Sequence, residues 1–502
     1  MIFRSNTCST RTKRSKNLPQ ALLLGFATLL SVGSHANNIV VSNPTVVGAN
    51  LQFNISWDNS WSTTLGPANW DAVWIFVKRQ SCTDNLWVHA PLNTNSGAHS
   101  TAGLLQVDAV SDGLGVFVRR SAAGFGNIPV TSVTIALQTP ANGTDNFQVL
   151  GLEMVSVPEG DFYIGDGAGQ YSFSSVLITS AIQSAGLGTQ SNYTSWGSTA
   201  PLPNTYPHGW NNFYIMKYEV SQDSYASYLN CLTYNQQFSR TSIPPQNFVG
   251  TLMVNQPSAS RNGIRIKVPG VPSIMPAVYG CDLNNNGVFA EADDGANIAC
   301  NWLSWPDLMS YLDWSGLRPM SEFEYEKACR GVVPGSNPNE YAWSNSMLLQ
   351  AESGALSNAA TGTELSTSAG NGLCAYGAGS NGKGPLRCGF AASSGTTRFQ
   401  SGGSFYGVME LSGNVNEQCV GGYAFNYSAF TRVNGNGAIT ANGSADTVGW
   451  PTLGGGQFGG LSRGGDWFNV SSFLRVSDRA WIINNTNQGR LRTHGGRGVR
   501  NY

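Results

Sequence analysis

Residues 38–148 run as short apolar stretches separated by turn formers, the pattern of β structure. Leu51-Gln52-Phe53-Asn54-Ile55-Ser56-Trp57 alternates apolar and polar positions, which predicts a strand with one buried face. Ala72 to Val77 is a continuous apolar run. Leu114 to Val118 and Val130 to Leu137 follow, with Gly, Asn and Pro clusters between them. Hardly any segment here has helical periodicity, so the predicted architecture is an N-terminal all-β sandwich over residues 37–148. A turn-rich link, Pro140-Ala141-Asn142-Gly143-Thr144, marks its end, and Phe147 to Leu150 leads into a second domain, residues 149–502.

In that second domain the helices are few. Gln222 to Leu229 carries the strand Tyr218-Glu219-Val220 into a helix. Ser304 caps another helix through Trp314. Ser321-Glu322-Phe323-Glu324 is a capping box, since the Ser321 hydroxyl can accept from the third helical N–H while Glu324 reaches back. Much of 343–405 and 430–465 is rich in Gly, Asn and Ser, and for 351–372 and 433–458 disorder competes with irregular structure. There are no tandem repeats.

Composition narrows the setting. Arg4, Arg11, Lys13, Arg14 and Lys16 precede an apolar stretch from Ala21 to Gly33, and Ser34-His35-Ala36 supplies a small-x-small cleavage pattern. Residues 1–36 therefore read as a secretory signal peptide, with the mature chain expected to start near Asn37. The rival, a short membrane anchor, is disfavoured by the length of the apolar stretch, and no later stretch is long and apolar enough to span a bilayer. Five of the 28 basic residues leave with the leader and none of the 29 acidic ones, so 23 basic face 29 acidic side chains, a formal charge of −6. That balance argues against a nucleic-acid partner, whose phosphates demand a basic patch. Cys8 also leaves, and eight cysteines remain for an oxidising compartment. Cys281 with Cys300 and Cys374 with Cys388 close short loops and are the first pairs expected to bond. Cys329, on a predicted helix, reads equally as a buried thiol. No C-x-x-C occurs, which removes zinc-ribbon and thioredoxin-like readings.

The most informative stretch is Tyr406-Gly407-Val408-Met409-Glu410-Leu411-Ser412-Gly413-Asn414-Val415-Asn416-Glu417. Two carboxylates seven residues apart flank Gly413 and Asn414, and Ca2+ takes carboxylates together with main-chain oxygens. By itself this spacing equally describes two solvated acids on a turn. The stretch resembles the Y-G-L-x-[DN]-M-x-G-N-x-W-E block of formylglycine-generating enzymes, the sulfatase-modifying-factor domains. Four more blocks resemble the family in the expected order: Met154 to Gly160 with Ile164-Gly165, Phe213 to Ser221, Leu317 to Gly331, and Arg463-Gly464-Gly465-Asp466-Trp467. The resemblance covers roughly residues 150–502. It implies an α+β, loop-rich relative of the C-type-lectin fold, which explains the Gly- and Asn-rich composition. It also implies a calcium site at Glu410, Gly413, Val415 and Glu417, the two middle residues through their carbonyls. The family's Trp before the last Glu is Asn416 here.

The catalytic relatives oxidise a sulfatase cysteine to formylglycine with O2 and a copper ion held by two thiolates in a C-x-x-x-R-C-A-x-R segment. Here that segment reads Ser471-Ser472-Phe473-Leu474-Arg475-Val476-Ser477-Asp478-Arg479. Arg475 and Arg479 fix the register and put Ser471 and Val476 at the copper positions, so copper is not expected: Cu(I) selects soft thiolates. No cysteine follows Cys419. Another branch of the family uses iron held by histidines, but His89, His99, His208 and His494 include no helical pair and read as structural or exposed. No G-x-S-x-G motif is present.

A second calcium candidate is independent of the resemblance. Asp282-Leu283-Asn284-Asn285-Asn286-Gly287-Val288-Phe289-Ala290-Glu291-Ala292-Asp293 matches D-x-N-x-N-G-x5-[DE]. It offers the side chains of Asp282, Asn284, Asn286 and Asp293 and the carbonyl of Val288. Ile274-Met275-Pro276 and Gly280 exclude the usual preceding helix, so this is a bare loop, and its rival is an Asn-rich turn without an ion. The chain as a whole reads as an exported protein, secreted, periplasmic or at the cell surface. It is stabilised by calcium, lacks the copper cysteines, and has a binding or structural role toward a protein or glycan. The alternative is a metal-dependent oxidase with displaced ligands acting on a protein or peptide thiol.

Overall fold

The computed structural model describes residues 39–502 apart from 83, 142–143, 188–201, 256–259, 333–334, 352–355, 378–383, 394, 422–428, 452–458 and 481–488. The expected leader lies outside the described residues. Among those described the chain is mostly β, with five α-helices and no closed barrel.

Two sheets share an apolar layer. The first has four strands, in the order Val40–Val47, Asn50–Ser62, Gly124–Ala136 and Ser100–Thr101. The second has seven. Asp71–Gln80 lies between Asn146–Val157 and Val116–Arg120, and beyond Asn146–Val157 come Phe213–Met216 and Val499–Arg500. In Asn50–Ser62 the alternation holds: Leu51, Phe53, Ile55 and Trp57 are buried while the residues between them are partly exposed. Strand Asp71–Gln80 explains its unbroken apolar run, because both of its faces are covered. Val73, Ile75 and Val77 join the layer between the sheets, whereas Ala72, Trp74 and Phe76 pack against helices and loops on the other side. A strand covered on one side only would need polar residues at every second position.

The link expected at Pro140–Thr144 includes Asn142 and Gly143, which lie outside the described residues. Immediately after it, Asn146–Val157 passes through residues 148 and 149 without interruption. It pairs with Asp71–Gln80 along ten residues and with Phe213–Met216 on its other edge. One sheet therefore serves both halves of the chain.

The helices start where the sequence supplies caps. Ser304 and Asp307 form a capping box for Trp305–Trp314, and Ser321 and Glu324 form one for Glu322–Arg330. Gln222–Leu229 is capped by Ser221. Segments for which disorder competed are ordered by side chains where they are described. Asp313 is buried, and its two carboxylate oxygens accept from the backbone of Asn436, Asp446 and Thr447, at 2.8, 2.8 and 3.1 Å. Leu356–Ser357 and Leu365–Ser366 pair as a small antiparallel ladder.

The two disulfides expected first are not made. Cys281, Cys300, Cys374 and Cys388 are not disulfide-bonded. Cys374 Sγ is directed at the Ser412 carbonyl, 3.0 Å away, while Cys388 Sγ faces the Glu219 carbonyl at 3.6 Å. For Cys374 and Cys388 short sequence separation did not close the loop, because the two sulfurs are aimed at different main-chain acceptors. Cys329 is a buried free thiol.

Candidate functional site

The segment 406–417 is shaped by backbone that few side chains tolerate. Gly407, Glu410, Gly413 and Asn414 all have positive φ, at 89°, 54°, 89° and 66°. At Gly413 a side chain has no room: a Cβ would meet the Ala375 carbonyl oxygen and Cys374 Sγ at 2.5 Å each. The chain then enters the strand Asn416–Val420, central in a three-stranded sheet with Gly460–Arg463 on one edge and His494–Gly495 on the other.

This folding buries both acids. Glu410 Oε1 accepts from the Gly389 N–H at 3.0 Å, and Glu417 Oε1 accepts from Arg497 Nε at 2.7 Å. The second oxygen of each, Oε2, is buried without a hydrogen-bond partner. Asn416, in place of the family's Trp, donates to Asp466 Oδ2 at 2.6 Å.

A third carboxylate stands with them. Glu219 accepts from the Val415 N–H at 3.1 Å and from Asn414 Nδ2 at 2.8 Å, so it grips the segment between the two acids. Sequence reasoning missed it. Glu219 lies in one of the family-like blocks, but nothing local says that it reaches a segment 195 residues away. Arg497 is the cation shared by the three. It also donates to the carbonyls of Met216 and Lys217, at 3.2 and 3.0 Å.

Three buried carboxylates share Arg497, and Glu410 also feels Arg387. Burial pushes the Glu410 carboxyl up to about 7 against the pull of Arg497 and Arg387. Burial likewise raises Glu219 and Glu417, with Arg497 opposing. The Oε2 atoms of Glu410 and Glu417 are the carboxylate oxygens left open to a cation, while Glu219, Glu410 and Glu417 do not form a group whose ligand atoms all lie within 4.8 Å of one another. Glu219 also lines a cleft with Glu153, Tyr218, Arg387 and Cys388. Its volume is about 110 Å³, short of the roughly 300–1,000 Å³ typical of small-molecule pockets.

The copper positions carry no suitable donors. Ser471 begins a short 3-10 turn, Ser471–Leu474, and its carbonyl accepts from the Tyr341 hydroxyl at 3.3 Å. Val476 is fully buried in the apolar cluster that contains Tyr341, Trp343 and Cys374, and its N–H donates to the Glu340 carbonyl at 2.9 Å. A hydroxyl and an isopropyl group cannot replace a thiolate pair for Cu(I). Arg479, one of the residues that set the register, is paired with Glu322 at 2.7 Å. The histidines are scattered: the rings of His89 and His99 bond main-chain carbonyls, His208 lies between Tyr206 and Phe323, and His494 bonds Thr493.

The loop 282–293 closes on itself. Asp282 is buried and accepts from the N–H groups of Asn286 and Gly287, at 3.1 and 3.2 Å. Asn284 Oδ1 also accepts from Asn286 N–H at 3.0 Å, and Asn286 Oδ1 accepts from Val288 N–H at 2.7 Å. Val288 and Asp293 are exposed. The strand Val278–Cys281 stands where a helix would precede such a loop in a helix–loop–helix unit.

Residues 142–501 match the sulfatase-modifying factor enzyme 1-like domain. None of the curated proteins matches the chain. With well over half of its length inside that match, the chain belongs to the sulfatase-modifying factor family.

Proposed function

We propose that this family member is an exported protein without the family's copper oxidation, and that it serves a binding or structural role stiffened by calcium. The observation that carries this reading is the pair Ser471 and Val476 at the copper positions, with Val476 sealed in the core. In the same reading the two N-terminal sheets are a β-sandwich placed against a C-type-lectin-like domain. The signal-like leader directs the chain to the periplasm, the cell surface or the medium.

Calcium is supported by the partnerless oxygens of Glu410 and Glu417. In this site Gly413 and Val415 contribute carbonyls. A second ion belongs to the loop begun by Asp282. The partner is a protein or glycan met at the surface, an analogy drawn from fold alone. A nucleic-acid partner is disfavoured by the net negative charge. No helix among the described residues is long and apolar enough to cross a membrane.

The test is direct. A peptide carrying a sulfatase cysteine motif, incubated with the protein, copper and O2, is expected to keep its thiol by mass spectrometry. Formylglycine in that peptide would overturn the non-catalytic reading and favour an oxidase with displaced ligands.

A further inference from the structure

The 282–294 loop contains more acid than its motif counts. Asp282, Glu291, Asp293 and Asp294 crowd a segment whose nearest guanidinium, that of Arg265, is spent on the carbonyls of Asp282 and Gly250, at 2.8 and 2.7 Å. Among the described residues, one group of three acidic, thiol or imidazole side chains has ligand atoms all within 4.8 Å of one another: Glu291, Asp293 and Asp294. Of these only Asp293 is a ligand in the twelve-residue register: Glu291 stands at position ten, which the motif leaves free, and Asp294 lies one residue beyond its end.

Asp294 supplies an independent observation. It is only 1% exposed, its Oδ2 accepts from the Glu291 N–H at 2.7 Å, and its Oδ1 is buried with no hydrogen-bond partner. Since Asp294 carries one of the clustered ligand atoms, its carboxylate is aimed into the group. An unpaired buried carboxylate oxygen is costly unless a cation or proton meets it. The N-terminal half of the loop is already occupied. Asp282, Asn284 and Asn286 each serve a backbone donor, and Asn286 Nδ2 donates to Glu291 Oε2 at 2.6 Å, which ties the Asn-rich turn to the acids.

We propose that the ion of this loop is a calcium ion held by the carboxylates of Glu291, Asp293 and Asp294, with the Asp282–Asn286 turn as the scaffold that presents them. Three carboxylates, each mono- or bidentate, with water on the exposed side, supply the six to eight oxygens that Ca2+ takes. The ion would lie outside the turn rather than within it. This inference rests on the reading that the loop takes a cation, and it replaces the ligand set that the motif implies.

The experiment measures calcium bound per mature chain by equilibrium dialysis, with folding checked by circular dichroism. It uses the unaltered protein, Glu291→Gln, Asp294→Asn and Asn284→Ala, and Glu417→Gln to remove the other site. Glu291 is exposed, so its variant tests the site even if the Asp294 change disturbs folding. The expected result is that Glu291→Gln and Asp294→Asn each weaken one equivalent by about tenfold or more, while Asn284→Ala leaves it. Loss of that equivalent in Asn284→Ala with full retention in Glu291→Gln would overturn this ligand set and keep a calcium loop of the motif type. An equivalent lost only in Glu417→Gln would remove the loop site altogether and leave the one at Glu410. A tenfold tighter response to magnesium than to calcium would overturn the choice of ion.

Discussion

Strands Asp71–Gln80 and Asn416–Val420 are both central in their sheets and both buried over most of their length, yet opposite means hold them. The first is covered by apolar side chains on its two faces, and its backbone is satisfied along its whole length by Asn146–Val157 on one edge and over four residues by Val116–Arg120 on the other. The second is short and polar. Asn416, Glu417 and Gln418 are all buried, and each finds its partner in a different segment: Asp466, Arg497, and the carbonyls of Leu303 and Gly495. Along its edge, Arg463 pairs with Glu322 at 2.8 Å and with Glu326 at 2.6 Å. Where ladders are long, apolar burial suffices. Where they are two to five residues long, buried charges and amides do the work of regular structure, and every one of them needs its counterpart.

The contrast is broken most severely by removing one member of the buried ion network. Glu322→Ala takes from buried Arg479 its carboxylate partner and from Arg463 one of its two, leaving Glu326, and the expected loss is about 3–5 kcal/mol in urea unfolding. A change below 1 kcal/mol would mean that the network is not a main support of the C-terminal half.

Calcium comes next. A ligand bound by the folded state alone stabilises it by roughly 2.7 kcal/mol when free calcium is a hundredfold above Kd. Chelation should therefore lower the melting temperature, and Glu417→Gln should blunt that response more than an exposed Glu→Gln elsewhere. Identical melting curves in excess chelator and in millimolar calcium would return Glu410 and Glu417 to a purely structural role.

In the apolar strand the expected effects are smaller and graded. Ile75→Val removes one methylene from the layer between the sheets, at a cost of about 0.5–1.5 kcal/mol. A comparable trim facing the other layer, Leu152→Val on the paired strand Asn146–Val157, should fall in the same range if the sheet is supported equally from both sides. A tenfold asymmetry in the two destabilisation energies would identify one layer as the dominant support.

A further effect is a dependence on pH. Glu153, on the strand Asn146–Val157, is pushed up to about 7 by burial, although Lys217 Nζ lies 3.6 Å away and pulls the other way. The folded state thus holds this proton where the unfolded chain releases it. Its contribution to stability is complete below the ordinary carboxyl range and is lost as pH rises from there through about 7. Glu153→Gln should flatten the stability profile in that window, and an unchanged slope would assign the dependence to other acids.

Much of this molecule could be read before folding was considered. The alternation of Leu51 to Trp57, the serines that cap Trp305–Trp314 and Glu322–Arg330, and the five ordered blocks are regularities within a dozen residues of one another. Local rules of period and capping suffice to read them. The register of Arg475 and Arg479 likewise placed Ser471 and Val476 without a structure. Tertiary structure alone decided what crosses the chain: that Ala72–Val77 has two covered faces, that Glu219 clasps Asn414 and Val415, and that Arg497 meets Glu417. Asp294 is the sharpest case, since the motif ends at the exposed Asp293 while the next residue is the buried one, with a carboxylate oxygen left unpartnered. A charged residue reads the same in sequence whether solvated or buried, and only the fold supplies the partner, or withholds it, that gives the charge its meaning.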